Sequence, residues 1–422
     1  MDRLGAIPIH VANLAFERHA FVEAEEEYRQ GLAILRTFPE SRNRDERELD
    51  MLNRFAQVLQ LSHGFAAREA ADTATQAHAL AEKCENIAQL VSRATGSFAA
   101  VITSGDLRAA SVLADQTLDL AKRDGSPAVL GCAYACQVTA CYCRGDLTGA
   151  ERHFGSGSSM FEAAGKRHFS VLGSAFGYGG HVAWMRGFPD AARERTRQAI
   201  IGATDLVNPF ELAYAQFIAA GLYLFLRDFE AANSAATTSV KLSDDNGYRL
   251  FVSGSRIFLG LSAAAHGDVV DGLAMAESGV RGWTESGARV WTTGYLGLIS
   301  AAQARAGKIS EALESAEHAL EANPAELSWR PDAIRMRGEL RLRIGLGEAA
   351  ETDFRDSIAL AQKIGAKAWE LRSVMSLARL LRDSGRRDEA RAMLAEIYNW
   401  FTEGFDTADL KDAKALLEEL SN

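Results

Sequence analysis

The sequence predicts an all-α solenoid: a superhelix of about ten helix–turn–helix repeats of ~40 residues each. Three observations carry this. A glycine followed five positions later by alanine recurs at Gly105/Ala110, Gly145/Ala150, Gly187/Ala192, Gly307/Ala312, Gly345/Ala350 and Gly385/Ala390, with weaker copies at Arg227/Ala232 and Gly267/Gly272. Successive anchors from 105 to 385 stand 40, 42, 40, 40, 40, 38 and 40 positions apart, and a fixed period of roughly 20–50 residues marks a repeat array. Between anchors the apolar residues keep helical spacing, and only seven prolines interrupt 422 residues.

The anchor has a simple chemistry. Glycine ends one helix because it takes the left-handed C′ conformation at least cost. The next residue caps the following helix: Asp106, Asp146, Asp228 and Asp268 follow their anchors directly, and a carboxylate there accepts a backbone N–H at the positive helix end. Pro189 stands near a first helical position, where proline is tolerated. Alanine five residues on is small enough for close packing against the preceding helix.

Taken in order, residues 10–35 read as a helical pair, with Phe21, Ala24, Tyr28, Leu32 and Leu35 on one face. The polar segment 36–48 reads as a loop or solvated helix start and is the one candidate linker. Helix resumes near Glu48, and a second helix covers about 68–85. The next pair is 87–103 and 106–123; from there the rhythm is regular, to Tyr398–Phe401. A last segment, 406–420, places Leu410, Ala413, Leu416, Leu417 and Leu420 on one face with charges opposite, as a terminal cap requires. The expected organisation is a single solenoid over 1–422: a helical pair and linker over 1–45, repeats over 46–405 and a capping helix over 406–422.

Composition excludes several function classes. A net charge of −10 disfavours nucleic acid, whose phosphates need a basic surface, and disfavours an anionic membrane surface. The longest apolar run, Leu212 to Leu226, is 15 residues including Gln216, short of the roughly 20 that span a bilayer. No secretory signal is evident in Met1–His10. Five cysteines do not make a disulfide framework in a chain this long; a reducing cytoplasm is expected.

No catalytic, metal or cofactor site is expected. Cys132, Cys136, Cys141 and Cys143 lie in one helix, the first, second and fourth on one stripe and Cys141 facing away. Metal sites draw ligands from separate segments or a Cys-x-x-Cys knuckle, so core packing is the reading. No His-Glu-x-x-His, phosphate loop or nucleophile elbow occurs. Residues 155–180 hold seven of the 36 glycines, which read as close helix approach; a kink there would instead open a pocket beside Tyr178, His181 and Trp184. Arginines at 335, 337, 341, 343 and at 379, 382, 386, 387, 391 interleave with acids, as on a solvated helix face, with an anion-binding or acidic-partner patch at the C-terminal end as the alternative. Most of the six tryptophans are expected to fill gaps between helices.

The period exceeds the 34 of a standard tetratricopeptide repeat, so the fold is tetratricopeptide-like with longer helices. The stretches Ala366–Leu380 and Ile397–Leu417 resemble the C-terminal repeat region of bacterial signalling proteins in which a class III adenylate/guanylate cyclase or other effector precedes an ATPase module. Trp184–Asp190, Arg335–Leu340 and Glu46–Leu49 fit the same pattern, so the likeness spans roughly 45–420. The cyclase and ATPase modules themselves are missing. The resemblance implies a non-catalytic sensor or docking arm that holds a protein partner or small-molecule effector in its concave groove; a constitutive scaffold is the alternative. Glu339, Glu370 and Arg372, in first helices of neighbouring repeats, are expected to reach into that groove and contact the partner.

Overall fold

All eight anchor positions have left-handed backbone, the seven glycines with φ from 77° at Gly145 and Gly307 to 111° at Gly267. Even Arg227, the non-glycine copy, follows at 60°, a conformation that costs an L-residue about 1 kcal/mol or more. The structure, a computed structural model, describes residues 9–18, 20–64, 67–84, 87–166 and 171–421, and within them the chain forms helices and no strand. The opening segment 1–8, read above for a signal, lies outside the described residues.

Ten helix pairs follow one another among the described residues. The first four are α1 (Ile9–Glu17) with α2 (Phe21–Leu35), α3 (Arg42–His63) with α4 (Arg68–Cys84), α5 (Ile87–Thr103) with α6 (Leu107–Asp124), and α7 (Pro127–Arg144) with α8 (Leu147–Gly157). A short α9 (Phe161–Gly165) and a π-turn over Gly173–Gly177 lead into α10 (Tyr178–Met185), which pairs with α11 (Pro189–Asp205). Regular pairs resume with α12 (Pro209–Phe225) and α13 (Phe229–Asp245), α14 (Arg249–Ala265) and α15 (Val269–Glu285), and α16 (Thr292–Arg305) and α17 (Ile309–Ala322). The last are α18 (Arg330–Arg343) with α19 (Gly347–Ile364) and α20 (Lys367–Asp383) with α21 (Arg387–Tyr398), closed by α22 (Ala408–Ser421).

The small residue five positions past each anchor is fully buried where it is alanine: 110, 150, 192, 232, 312, 350 and 390. In the Gly267 copy even alanine is too large, because a Cβ on Gly272 would meet the Gly260 carbonyl oxygen of α14 at 2.5 Å. Three of the four expected caps form: Asp106 accepts from the Ala109 N–H (2.9 Å), Asp146 from Gly149 (2.8 Å) and Asp228 from Ala231 (3.1 Å). Asp268 does not; its side chain makes no capping bond.

Two further expectations are corrected. The polar segment 36–48 is a turn followed by a helix start, since α3 begins at Arg42 with Ser41 accepting the Arg44 N–H, but that start is not simply solvated. Asp45 and Glu48 are buried and held by Lys83 (2.7 Å) and Arg36 (2.7 Å), so the charges staple α2, α3 and α4 together. Cys141 is buried like Cys132, Cys136 and Cys143, because α7 is covered on all sides and has no outward face. Helix α4 ends at Cys84; residue 85 lies outside the described residues. The apolar run 212–226 is α12, buried in the centre, and no helix among the described residues is long and apolar enough to cross a membrane. At the far end α22 buries Leu410, Ala413, Leu416 and Leu420.

The superhelix winds tightly enough for its coils to touch. Anchor turns pack on segments 180–184 positions further along: Gly105 on Arg289, Gly145 on Leu327, Gly187 on Lys367, and Arg227 on Asp409. Polar bonds fix each step. Asn323 donates to the Gly105 carbonyl (3.0 Å), the Arg289 N–H to that of Thr103 (2.8 Å), and the Asp190 N–H to Glu403 (2.9 Å). Arg193 pairs with Asp406 at 3.1 Å and Arg227 with Asp412 at 2.5 Å. Arg227 thus offsets its backbone strain with a bond that glycine lacks.

Candidate functional site

Coil contact closes the middle of the superhelix axis. First helices point their aromatic residues inward, and with two coils in register these rings meet in a continuous plug. Tyr142 stacks on Tyr178 at 5.2 Å, Tyr178 packs on Trp291 at 5.4 Å, His181 on Phe225 at 5.2 Å, and Phe225 on Trp184 at 4.7 Å and Trp329 at 4.6 Å. Trp184 then meets Trp369 edge-on at 4.7 Å. Five of the six tryptophans belong to this plug or border it; Trp400 instead covers Phe188 at the outer coil contact.

Buried polar groups sit inside the plug. His181 donates from Nε2 to the Ile218 carbonyl (2.9 Å), so its Nδ1 accepts from the Tyr142 hydroxyl (3.2 Å). Burial pushes its pKa down to about 4, so it is neutral at physiological pH. Trp291 takes left-handed backbone (φ 61°), and its N–H is held by Glu326 Oε1 at 2.7 Å. The other Glu326 oxygen has no donor. Burial pushes this carboxyl up to about 8, with the polar groups of Trp291 and Thr293 pulling only partway back. The thiols are likewise kept neutral, Cys136 pushed up to about 12 by burial.

The C-terminal end of the plug opens into a cleft of about 250 Å³ on the first-helix face. Leu224, Leu261, Leu298, Met336 and Met375 make its apolar floor. Arg227, Arg305, Arg335, Arg372 and Arg379 converge on it, against Asp332, Asp409 and Asp412. Arg335 pairs with Asp332 at 2.7 Å, and Arg372 with Asp409 at 2.7 Å while its guanidinium lies over Trp184 (5.1 Å) and Trp369 (5.2 Å). Arg305 and Arg379 are exposed and have no acid within ion-pair distance among the described residues. Such a site gains by receiving an anion.

The residues expected to form a site divide three ways. Tyr178, His181 and Trp184 are buried in the plug. Arg372 lines the cleft, and Glu339 lies just behind it, accepting from Ser376 (2.5 Å) and standing 3.8 Å from Arg335. Glu370 does not reach the cleft: it is buried with Lys367 (2.7 Å) and Gln362 (2.8 Å) around it, because a two-residue step turns it to another helix face. The arginine clusters also divide. Arg337 and Arg341 grip the buried Asp353 at 2.6 and 2.9 Å, and Arg382 and Arg386 bind Glu419 and Glu351. Arg335 and Arg379 belong to the cleft, and Arg227 and Arg305 join them from turns and helix ends with no signal in their local sequence. Among the described residues no three potential metal ligands stand together.

No protein-family model matches this chain, and no curated protein matches it in sequence. Among solved structures it is similar to a Rap protein complexed with competence and sporulation factor, with a TM-score of 0.58 and 13% identity over 89% of this chain and 99% of that one. NprR in complex with its cognate peptide NprX gives a TM-score of 0.45 at 13% identity, over 68% of this chain and 82% of that one. The Rap likeness covers nearly the whole of both chains, and the fold is a tetratricopeptide-like α-solenoid.

Proposed function

We propose that this chain is a non-catalytic binding arm whose C-terminal cleft takes an acidic segment of a protein partner. One observation carries the reading: five arginines face three aspartates across an apolar floor, in a chain whose net charge is −10. Counting Glu339 behind Arg335, the balance stays positive. Carboxylates of the partner would pair with Arg305 and Arg379, and apolar side chains between them would cover the leucines and methionines. Arg372 and Glu339 belong to this site, Arg372 as a wall held in place by Asp409 and two indole faces. That the Rap protein of similar fold was solved as a complex supports a binding role.

The test is fluorescence anisotropy with a labelled peptide of alternating glutamate and leucine, against one of lysine and leucine. The acidic peptide binds, and Arg305→Ala/Arg379→Ala weakens it by about tenfold or more, the loss of charge-assisted bonds worth ~1.4 kcal/mol or more. Equal affinity for both peptides, or an unchanged affinity in the double variant, overturns the reading.

The likeness of 366–417 to signalling ATPases and cyclases supports a finer version, in which the arm serves such an effector and partner binding shifts the superhelix pitch. A ligand moves that equilibrium only by favouring one pitch over the other. X-ray scattering with and without the bound partner separates this sensor from a constitutive scaffold, whose profile does not change. The reading frame upstream of the gene tests the effector assignment.

A further inference from the structure

On the N-terminal side of the plug lies a second hollow, of about 60 Å³ and partly open. Protein interiors hold few voids larger than a water molecule, and one water needs only roughly 10–15 Å³ by this kind of measure. The hollow therefore has room for a small organic group. Its origin is the π-turn over Gly173–Gly177, a geometry that recurs at functional sites. Gly173 lies against the Tyr214 ring, and a Cβ at Gly177 would meet Ile218 Cγ2 at 2.7 Å. Without side chains there, the segment presses onto α12 and brings Ser174 and Tyr178 to the wall beside Tyr214.

The wall chemistry is selective. Among the described residues no Asp, Glu, Lys, Arg or His lines the hollow, so a charged ligand would lose its hydration without a partner there. Phe251, Trp283 and Trp291 supply ring faces. Beside the Cys132 and Cys136 thiols and the indole N–H groups of Trp283 and Trp291, the polar groups are hydroxyls, and the threonine protons are already engaged. Thr95, Thr103 and Thr139 donate to the carbonyls of Val91 (2.9 Å), Ala99 (2.7 Å) and Ala135 (3.0 Å) in their own helices. The Tyr178 and Tyr214 hydroxyls share a bond at 3.1 Å, with Ser174 beside Tyr214. What remains on offer is the hydroxyl lone pairs, together with the second tyrosine proton and the Trp291 indole N–H. The geometry points to a second binding site, for a small uncharged aromatic molecule that donates a hydrogen bond, a phenol or an indole. The ring enters between the aromatic faces, and its O–H or N–H donates to the hydroxyl row. The plug separates this site from the arginine cleft, and neither reading depends on the other.

The experiment is ¹⁹F NMR of the full chain with 4-fluorophenol as probe, and with fluorobenzene (no donor) and 4-fluorobenzoate (charged) as controls. The 4-fluorophenol line broadens with wild-type protein and the 4-fluorobenzoate line stays sharp. Ala99→Leu, which fills the hollow, abolishes the broadening. Tyr178→Phe/Tyr214→Phe keeps both rings and removes their oxygens, so 4-fluorophenol affinity falls about tenfold, toward that of fluorobenzene. If Ala99→Leu does not fold, the tyrosine pair decides alone. A sharp 4-fluorophenol line with wild-type protein, or unchanged affinity in the tyrosine variant, overturns the proposal.

Discussion

Glu326 should make this protein less stable as pH rises through neutrality. The carboxyl is fully buried in the plug among Tyr142, Cys143 and Tyr295; it holds the Trp291 N–H, and among the described residues no cation pairs with it. Its pKa is about 8 in the folded chain against an ordinary value of 4.5. Between those values the folded state holds a proton that the unfolded state releases. The unfolded state binds fewer protons, so stability falls with rising pH, by ~1.4 kcal/mol per pH unit at most. From pH 6 to pH 8 the loss is on the order of 2–3 kcal/mol. It is complete above about pH 8 and absent below about pH 4.5. Glu326→Gln keeps an acceptor for the Trp291 N–H and cannot ionise. Urea unfolding of both chains from pH 5 to pH 9, followed by tryptophan fluorescence, gives the difference, in which all other titrations cancel. The variant should match wild type at pH 5 and exceed it by on the order of 4 kcal/mol at pH 9. Parallel profiles would show that Glu326 is ionised in the fold and that the account of the plug is wrong.

Two other outcomes follow from the same structure. His181, pushed down to about 4 by burial, works in the opposite sense: the unfolded imidazole takes up a proton below its ordinary pKa of 6.5 and the folded one does not. Stability therefore falls as pH drops from about 6.5 to about 4, and His181→Phe should flatten that arm in thermal melts across the range. The anchor glycines should differ although their backbones are alike. Gly345→Ala meets open space and costs only the left-handed strain, about 1 kcal/mol, whereas Gly145→Ala also drives a Cβ to 2.8 Å from Leu327 of the next coil and should cost about 2–4 kcal/mol in denaturant titration. Equal costs at the two sites would argue against coil contact.

The repeat architecture was legible because its signal is local. A helix stop, a cap and a small contact residue are each decided within six positions, and the same six-residue solution recurs. A second series is equally regular. Gly125, Val207, Gly247, Gly287 and Gly365 are left-handed turns between repeats, 82, 40, 40 and 78 positions apart, that is, one or two periods each. The arginine cleft was only half legible. Arg335 and Arg379 were visible in two basic clusters and Arg372 as an expected partner contact, but Arg337, Arg341, Arg382 and Arg386, in those same clusters, bind buried or neighbouring carboxylates. Composition does not say which guanidinium finds an acid.

By itself, the sequence determined the helical class, the period, the turn positions and the terminal cap, because backbone strain, capping and helical periodicity act over a few residues. Only the tertiary structure decided how tightly the superhelix winds. That pitch brings segments 180–184 positions apart into contact, turns an expected open groove into a plug with a hollow on one side and a cleft on the other, and sets Arg227 beside Arg305. Pitch is the accumulated sum of small rotations at every helix interface, and no single repeat carries it. The six residues from Gly307 to Ala312 say that the chain turns; the sum of all such turns says where its ligands would sit.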